Sequence, residues 1–224
     1  SNCGYSVIVF ESNTDVGGKI SEINKNGYRF DTGPSLFTMP ELIDELVKIG
    51  YNNADKKFDY KKIDITCSYF FDDGVILNAY SENKRFIDEV SNKLHVDSKI
   101  TRKYLNYVAF LFKSTNKIFI QKSLHKLSTY LSVETFFSFL KIPFLSIFKS
   151  MNKTNTQRLK NPKLIKIFNR YATYNGSNPF LAPGILNVIS HLELNDGVYL
   201  PKNGMRSIVD CLYKICIKNG VVFE

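Results

Sequence analysis

The alternation of apolar and polar positions divides the chain into a strand-rich start, a long helical middle and a short mixed return. Val7, Ile8, Val9 and Phe10 make a continuous β-branched and aromatic run, the pattern of a parallel strand buried on both faces. Residues 20–23 and 28–30 flank Asn26-Gly27 and predict a hairpin. Thr38 and Glu41 have capping-box spacing, Pro40 suits a first helical turn, and Phe37 and Leu42 are placed as a hydrophobic staple. The helix so started sets Leu42, Ile43, Leu46 and Val47 on one face and is expected to stop at Gly50.

After a polar connection at residues 52–62, the arms at 68–71 and 75–77 around Asp73-Gly74 predict a second hairpin. From Ser81 the period is helical for about a hundred residues. Phe86, Ile87, Val90 and Leu94 form one apolar face; Ile100, Tyr104, Val108, Leu111, Thr115 and Phe119 form the next. Residues 130–149 contain FFSFLKIPFLSIFK, readable as a core helix pair bent at Pro143 or as a membrane-docking face or tunnel wall with flanking lysines. Residues 168–177, FNRYATYNGS, read as a fixed loop. A last helix follows Pro201-Lys202-Asn203-Gly204-Met205, with Ile208, Val209, Leu212 and Ile215 inward and Asn219-Gly220 at its end. Val221, Val222 and Phe223 begin a strand.

Candidate chemistry gathers near the start. Glu11 stands at the carboxyl end of the first strand, where a dinucleotide-binding fold hydrogen-bonds a ribose hydroxyl. Gly17-Gly18 allows a tight turn and a close approach to a ligand, and Lys19 adds a charge suited to a diphosphate. An ordinary strand end, a glycine loop and a surface lysine would use the same residues. The phosphate-binding glycine loop of such a fold precedes the acid by about 20 residues. Only ten residues precede Glu11. The chain is therefore expected to begin after its own first strand and glycine loop, with Gly4 ending the helix that loop would open, and to stop inside a strand, as a fragment.

Composition narrows the partners. With 224 residues and 44% hydrophobic positions the chain can bury a sizeable core. The net charge of +9 suits an anionic surface or a phosphorylated cofactor, but the lysines are scattered and no arginine run marks a nucleic-acid face. Cys3, Cys67, Cys211 and Cys216 lack disulfide or metal spacing, so no metal is expected and the thiols read as reduced in a cytoplasmic protein. The most apolar segment, residues 136–148, is interrupted by Lys141 and Pro143 and is shorter than the about 20 residues of a membrane span. His95, His125 and His191 are scattered and read as surface or hydrogen-bonded residues, so no catalytic residue is assigned.

VIVFESNTDVGGKISEINKNGYRFDTGPSLFTMP, the hairpin FFDDGVILNAY, and RYATYNGSNPFLAPGILNVISHLELNDGVYLPKNGMRSIVD resemble the N-terminal half of the bacterial carotenoid desaturases. These are phytoene-desaturase-type flavoproteins of the amine-oxidase-like superfamily. SLFTMP and the FFDDGVILNAY hairpin look more like the hydroxycarotenoid 3,4-desaturase branch than phytoene desaturase proper. The resemblance implies an α/β fold, α+β in the substrate region: a partial Rossmann-like FAD-binding domain with an inserted, largely helical substrate domain. It places the cofactor domain at residues 1–66 and 196–224, and a substrate and membrane-associating domain at 67–195. Glu11 would bind the ADP ribose of FAD; Gly17, Gly18 and Lys19 would lie along the diphosphate and flavin edge. Gly33, Pro34 and Ser35 would pass the isoalloxazine, and Val222, with Val221, would sit in the strand beside the adenine. The implied reaction is desaturation of a long polyene by hydride transfer to flavin, on the inner face of the cell membrane. Aromatic residues at 14%, without tryptophan, fit a tunnel for such a chain, and a plain core would accept the same residues. Lacking the family's first glycine loop and second cofactor segment, the polypeptide alone is expected to be inactive. Another amine-oxidase-like FAD oxidoreductase, or a non-catalytic fragment resting on a membrane, are the competing readings.

Overall fold

A computed structural model describes residues 1–119 and 145–224, the side chains of 117–119 excepted. The chain divides into two compact units: Ser1–Ile63 together with Val198–Glu224, and Asp64–Gly197.

The first unit opens with strand β1 (Ile8–Val9), then the hairpin of β2 (Glu22–Lys25) and β3 (Tyr28–Asp31). Asn26 and Gly27 turn that hairpin with φ of 51° and 82°, the left-handed pair a two-residue turn requires. Helix α1 (Pro40–Tyr51) follows. The expected capping box does not form. Proline fixes the first helical position and bars its predecessor from the α region, so Met39 is the N-cap, at φ 53°, with no side-chain cap bond. The staple is absent too, since Phe37 is buried and Leu42 exposed. Gly50 does not end the helix, which runs on to Asn52 at φ 52°. Gly50 is needed for packing: a Cβ there would be driven into Ile215. Leu46 is exposed and only Val47 of the predicted face is fully buried. Asp44, on the same helix, accepts from Phe58 N at 2.8 Å and the Tyr60 hydroxyl at 2.9 Å; burial and that bond push Tyr60 up to about 12. Tyr60 opens β4 (Tyr60–Lys62).

The second unit starts with β5 (Ile65–Phe70) and β6 (Ile76–Tyr80), an antiparallel pair turned at Gly74 with φ 80°. Helices α2 (Asn83–Leu94) and α3 (Ser98–Phe119) then bury the faces their periodicity predicts. Phe86, Ile87, Val90 and Leu94 are all buried, as are Tyr104, Val108, Leu111 and Thr115; Ile100 is half-buried, and the Phe119 side chain lies outside the described residues. Residues 130–144 of the Phe-rich segment lie outside the described residues. Helices α4 (Met151–Leu159) and α5 (Pro162–Asn169) are capped by Ser150 and Asn161, whose side chains accept from Lys153 N and Leu164 N. The 168–177 segment is not a loop: α5 passes directly into a 3-10 helix, Arg170–Asn175, that ends at Gly176 with φ 59°. The core of this unit joins Leu77, Phe86, Val108, Leu111, Leu164 and Phe168. Within it the Tyr104 hydroxyl donates to Asn155 Oδ1 at 2.6 Å, both residues being buried. Tyr104→Phe should cost about 1–2 kcal/mol in urea unfolding by leaving that amide oxygen short of a donor; an unchanged midpoint would refute the claim.

The chain then returns to the first unit through β7 (Tyr199–Pro201), α6 (Arg206–Lys218) and β8 (Val222–Phe223). β7 pairs antiparallel with β4, and β8 pairs parallel with β1, Ile8 facing Val222 and Val9 facing Phe223. Among the described residues each sheet has two strands. For that reason β1 is not the doubly buried strand its composition predicts: Ile8 is 53% exposed and Phe10 75%.

Candidate functional site

The residues predicted to hold a nucleotide fall in the first unit, where three backbone segments meet. β1 delivers Glu11 to its carboxyl end, and the parallel partner fixes it there. Val222 N donates to Val7 O at 3.1 Å, Glu224 N to Val9 O at 2.9 Å, and Glu11 N to Glu224 O at 2.7 Å. Glu11 Oε1 accepts from Asn13 N at 3.0 Å and Asn13 Nδ2 at 2.7 Å. Those bonds favour the ionised form and lower its pKa below the ordinary carboxylate value. The result is a fixed, charged acceptor beside β8.

The chain next loops back over the end of β1. Val16 and Gly17 share with Val9, Val209, Leu212 and Phe223 an apolar groove of about 290 Å³. Gly17 turns at φ 111° and Gly18 at φ 56°, and Ile20 N closes the turn on Gly17 O at 3.1 Å. A Cβ on Gly17 would come 2.6 Å from Val209 Cγ1, so the glycine lets the loop lie on α6. Gly18 faces open space, and Lys19 beside it is exposed. Arg206, in the first turn of α6, anchors the same loop, with Asp210 Oδ1 3.0 Å and Asp15 Oδ1 3.9 Å from its guanidinium.

The segment Gly33-Pro34-Ser35 closes against this turn. Its glycine is required for space, not for φ. A Cβ on Gly33 would be driven into the Lys19 carbonyl oxygen, with the carbonyl carbon 2.9 Å away. Thr32 N donates to Ser21 O at 3.0 Å and holds the two strands of backbone together. From the other side Asp31 Oδ2 accepts from Met205 N at 3.3 Å, and Arg29 donates to the Asn203 carbonyl. Gly204, at φ 82°, leaves room for that guanidinium. Gly17, Gly18, Lys19, Gly33, Pro34 and Ser35 are thus contiguous through backbone contact, and Glu11 and Val222 through strand pairing. Asp15, Arg29, Asn203 and Arg206 were not indicated by any sequence pattern.

The most distinctive motif of the second unit, RYATYNGS, builds a buried charge pair. Glu193 is 1% exposed; Oε1 and Oε2 accept from Arg170 Nη2 at 2.9 and 3.0 Å, and Oε2 also from the Tyr174 hydroxyl at 2.7 Å. Arg170 Nε donates to the Tyr69 hydroxyl at 3.0 Å, and the guanidinium lies 4.6 Å from the centre of the Tyr171 ring. Burial holds Tyr69, Tyr171 and Tyr174 above their ordinary pKa, so all three act as neutral phenols. His191, read as a surface or hydrogen-bonded residue, is an inward one whose Nε2 faces Asp196 Oδ1. It is buried, its ring centre is 4.4 Å from that of Phe112, and burial lowers its pKa while Asp196, 3.6 Å away, raises it. Among the described residues no three His, Cys, Asp or Glu side chains form a group that could hold a metal.

The family model for flavin containing amine oxidoreductase matches residues 1–223. A 1-hydroxycarotenoid 3,4-desaturase from Flavobacterium sp. (strain P99-3) is 43% identical over 221 residues, 99% of this chain and 45% of that protein. A 4,4'-diapolycopene oxygenase from Methylomonas sp is 26% identical, over 99% of this chain and 44% of its own length. The chain therefore spans about half the length of the curated relatives it matches. Among solved structures, a Pyrococcus furiosus protein superposes with a TM-score of 0.58 at 14% identity, covering 100% of this chain and 46% of that one. An oxidoreductase from Methanosarcina mazei gives 0.54 at 14% identity, with 100% and 46% covered. Fold and sequence agree, and the chain belongs to the flavin containing amine oxidoreductase family.

Proposed function

We propose that this chain supplies the ribose-to-flavin side of the cofactor site, and a substrate region, of an FAD-dependent carotenoid desaturase. One observation carries the reading. The residues read as a nucleotide site fall into two backbone-linked groups of the first unit, in a chain 43% identical to a 1-hydroxycarotenoid 3,4-desaturase. FAD is the cofactor of the family, and the donor set suits it. Glu11, fixed and ionised, accepts from a ribose hydroxyl of the ADP half. Gly17 and Gly18 offer backbone without side chains to the diphosphate, with Lys19 as the counter-charge. The Gly33-Pro34-Ser35 loop, locked to Lys19, passes the isoalloxazine, and the strand of Val222 flanks the adenine. When bound, the flavin supplies the two-electron acceptor for carbon–hydrogen cleavage.

In this reading residues 1–66 and 196–224 belong to the cofactor domain and the inserted residues 67–195 to the substrate domain. The substrate is a hydroxylated, long apolar polyene, and the protein takes it from the cytoplasmic face of a membrane. No helix among the described residues is long and apolar enough to cross one. The gap between 43% and 26% identity favours desaturation over the oxygenase chemistry named for the second relative. The test is the full reading frame containing this chain, expressed in a host that accumulates 1-hydroxylated acyclic carotenes. Loss of two hydrogens with a red-shifted absorbance is expected; an added oxygen, or unchanged carotene, would overturn the reading. In that same protein Glu11→Gln should lower affinity for FAD about tenfold, the worth of one charge-assisted bond, with flavin titration as the readout.

A further inference from the structure

Residues 145–192 contain seven lysines and arginines and no aspartate or glutamate. Two loops of this stretch lie side by side in the second unit. Ser150 and Pro183 form an antiparallel bridge. Met151 N donates to Ala182 O at 2.8 Å, Gly184 N to Lys149 O at 2.7 Å, and Asn152 N to Pro179 O at 2.9 Å. Beneath them Leu145, Met151, Ala182 and Gly184 are buried. From this bonded platform three large apolar side chains stand out: Phe148 is 89% exposed, Leu181 82% and Phe180 64%. Lys149 and Lys153, both exposed, flank them.

A rigid mount for exposed aromatic and aliphatic groups, ringed by cations of one sign, matches a lipid interface, where apolar groups enter the acyl boundary and lysines meet the headgroups. A second copy of the chain is the poorer occupant. It would bring the same positive charge, and three side chains offer roughly 500 Å² where a stable protein interface takes about 800 Å² from each partner. We propose that Phe148, Phe180 and Leu181, with Lys149 and Lys153, are the point at which this protein enters an anionic lipid surface. The proposal rests on the membrane part of the reading above and not on the flavin chemistry.

The chain has no tryptophan, so an introduced one reports alone. F148W is compared with F70W, at a site that is 75% exposed but two and three positions from Asp72 and Asp73. With phosphatidylcholine vesicles containing phosphatidylglycerol, F148W emission should shift to the blue and F70W emission should stay unchanged. In vesicle sedimentation the parent chain should bind. F148S/F180S/L181S, checked for folding by circular dichroism, should lose about tenfold or more of the binding, and K149Q/K153Q about fivefold per cation. If the parent fails to bind any vesicle, the membrane reading falls along with this surface. If the triple variant binds like the parent, or F70W shifts as F148W does, the surface is misassigned while membrane binding stands. Equal binding to pure phosphatidylcholine would overturn the anionic preference, and loss of a dimer instead of vesicle binding would make the tip a self-interface. FAD titration of the same triple variant in the full reading frame should be unchanged, which separates this result from a failure of the flavin reading.

Discussion

Arg170→Met is expected to remove about 3–5 kcal/mol of unfolding free energy, measured by urea titration followed by far-ultraviolet circular dichroism. The size follows from what is left behind. The Glu193 side chain is 2% exposed and that of Arg170 29%, so without the guanidinium the largely buried carboxylate keeps one phenol donor, Tyr174. An uncompensated buried charge costs more than the pair contributes. Arg170→Met with Glu193→Leu should therefore regain much of the loss, because the double variant removes the charge along with its partner. A single variant within about 1 kcal/mol of the parent would mean the pair behaves as a surface bridge.

Gly33→Ala should be the most damaging small substitution in the first unit. The added methyl meets backbone, the carbonyl of Lys19, and no rotamer change can make room. Either the 31–35 loop or the Gly17-Gly18-Lys19 turn must move. The stability cost should lie at or above the upper end of the about 1–3 kcal/mol range for overpacking. In the full reading frame FAD affinity should fall about tenfold or more, because the two displaced segments are those assigned to the flavin side. Gly27→Ala is the matched control. Its Cβ meets nothing within 4 Å, though the φ of 82° makes it mildly unfavourable. It should leave FAD binding unchanged. Equal loss in both variants would show that hairpin stability, not the Gly33 contact, governs the site.

Features with a local physical cause were legible in the sequence. Asn26-Gly27 and Asp73-Gly74 mark hairpins because only a few residues accept left-handed φ, and both hairpins form. The faces of α2 and α3 follow from period alone, as their burial shows. Where two local rules competed, the pattern misled: Thr38 and Glu41 have capping spacing, but Pro40 sets the helix start one residue later. Where the cause is distant, the pattern was silent. The 3-10 helix at Arg170–Asn175 is held through Tyr69 and Glu193, which lie 101 and 23 positions away. The candidate site shows the same division. Glu11 and Gly17-Gly18 were legible as a strand end and a turn. The contact of Arg29 with Asn203 joins residues 174 positions apart and leaves no trace in either neighbourhood.

The pairing of β1 with β8 also orders events during synthesis. Ile8 waits for Val222, and the whole of Asp64–Gly197 is translated in between. The second unit, all of whose residues precede Val198, can acquire its core while the ribosome is still supplying residues 198–224. Until those arrive, the apolar residues of β1 and α1 have no partner from the return segment, and long-range parallel pairing is slow in any case. The stretch that carries the nucleotide-site residues therefore matures after the second unit and stays open to chaperones and proteases until then.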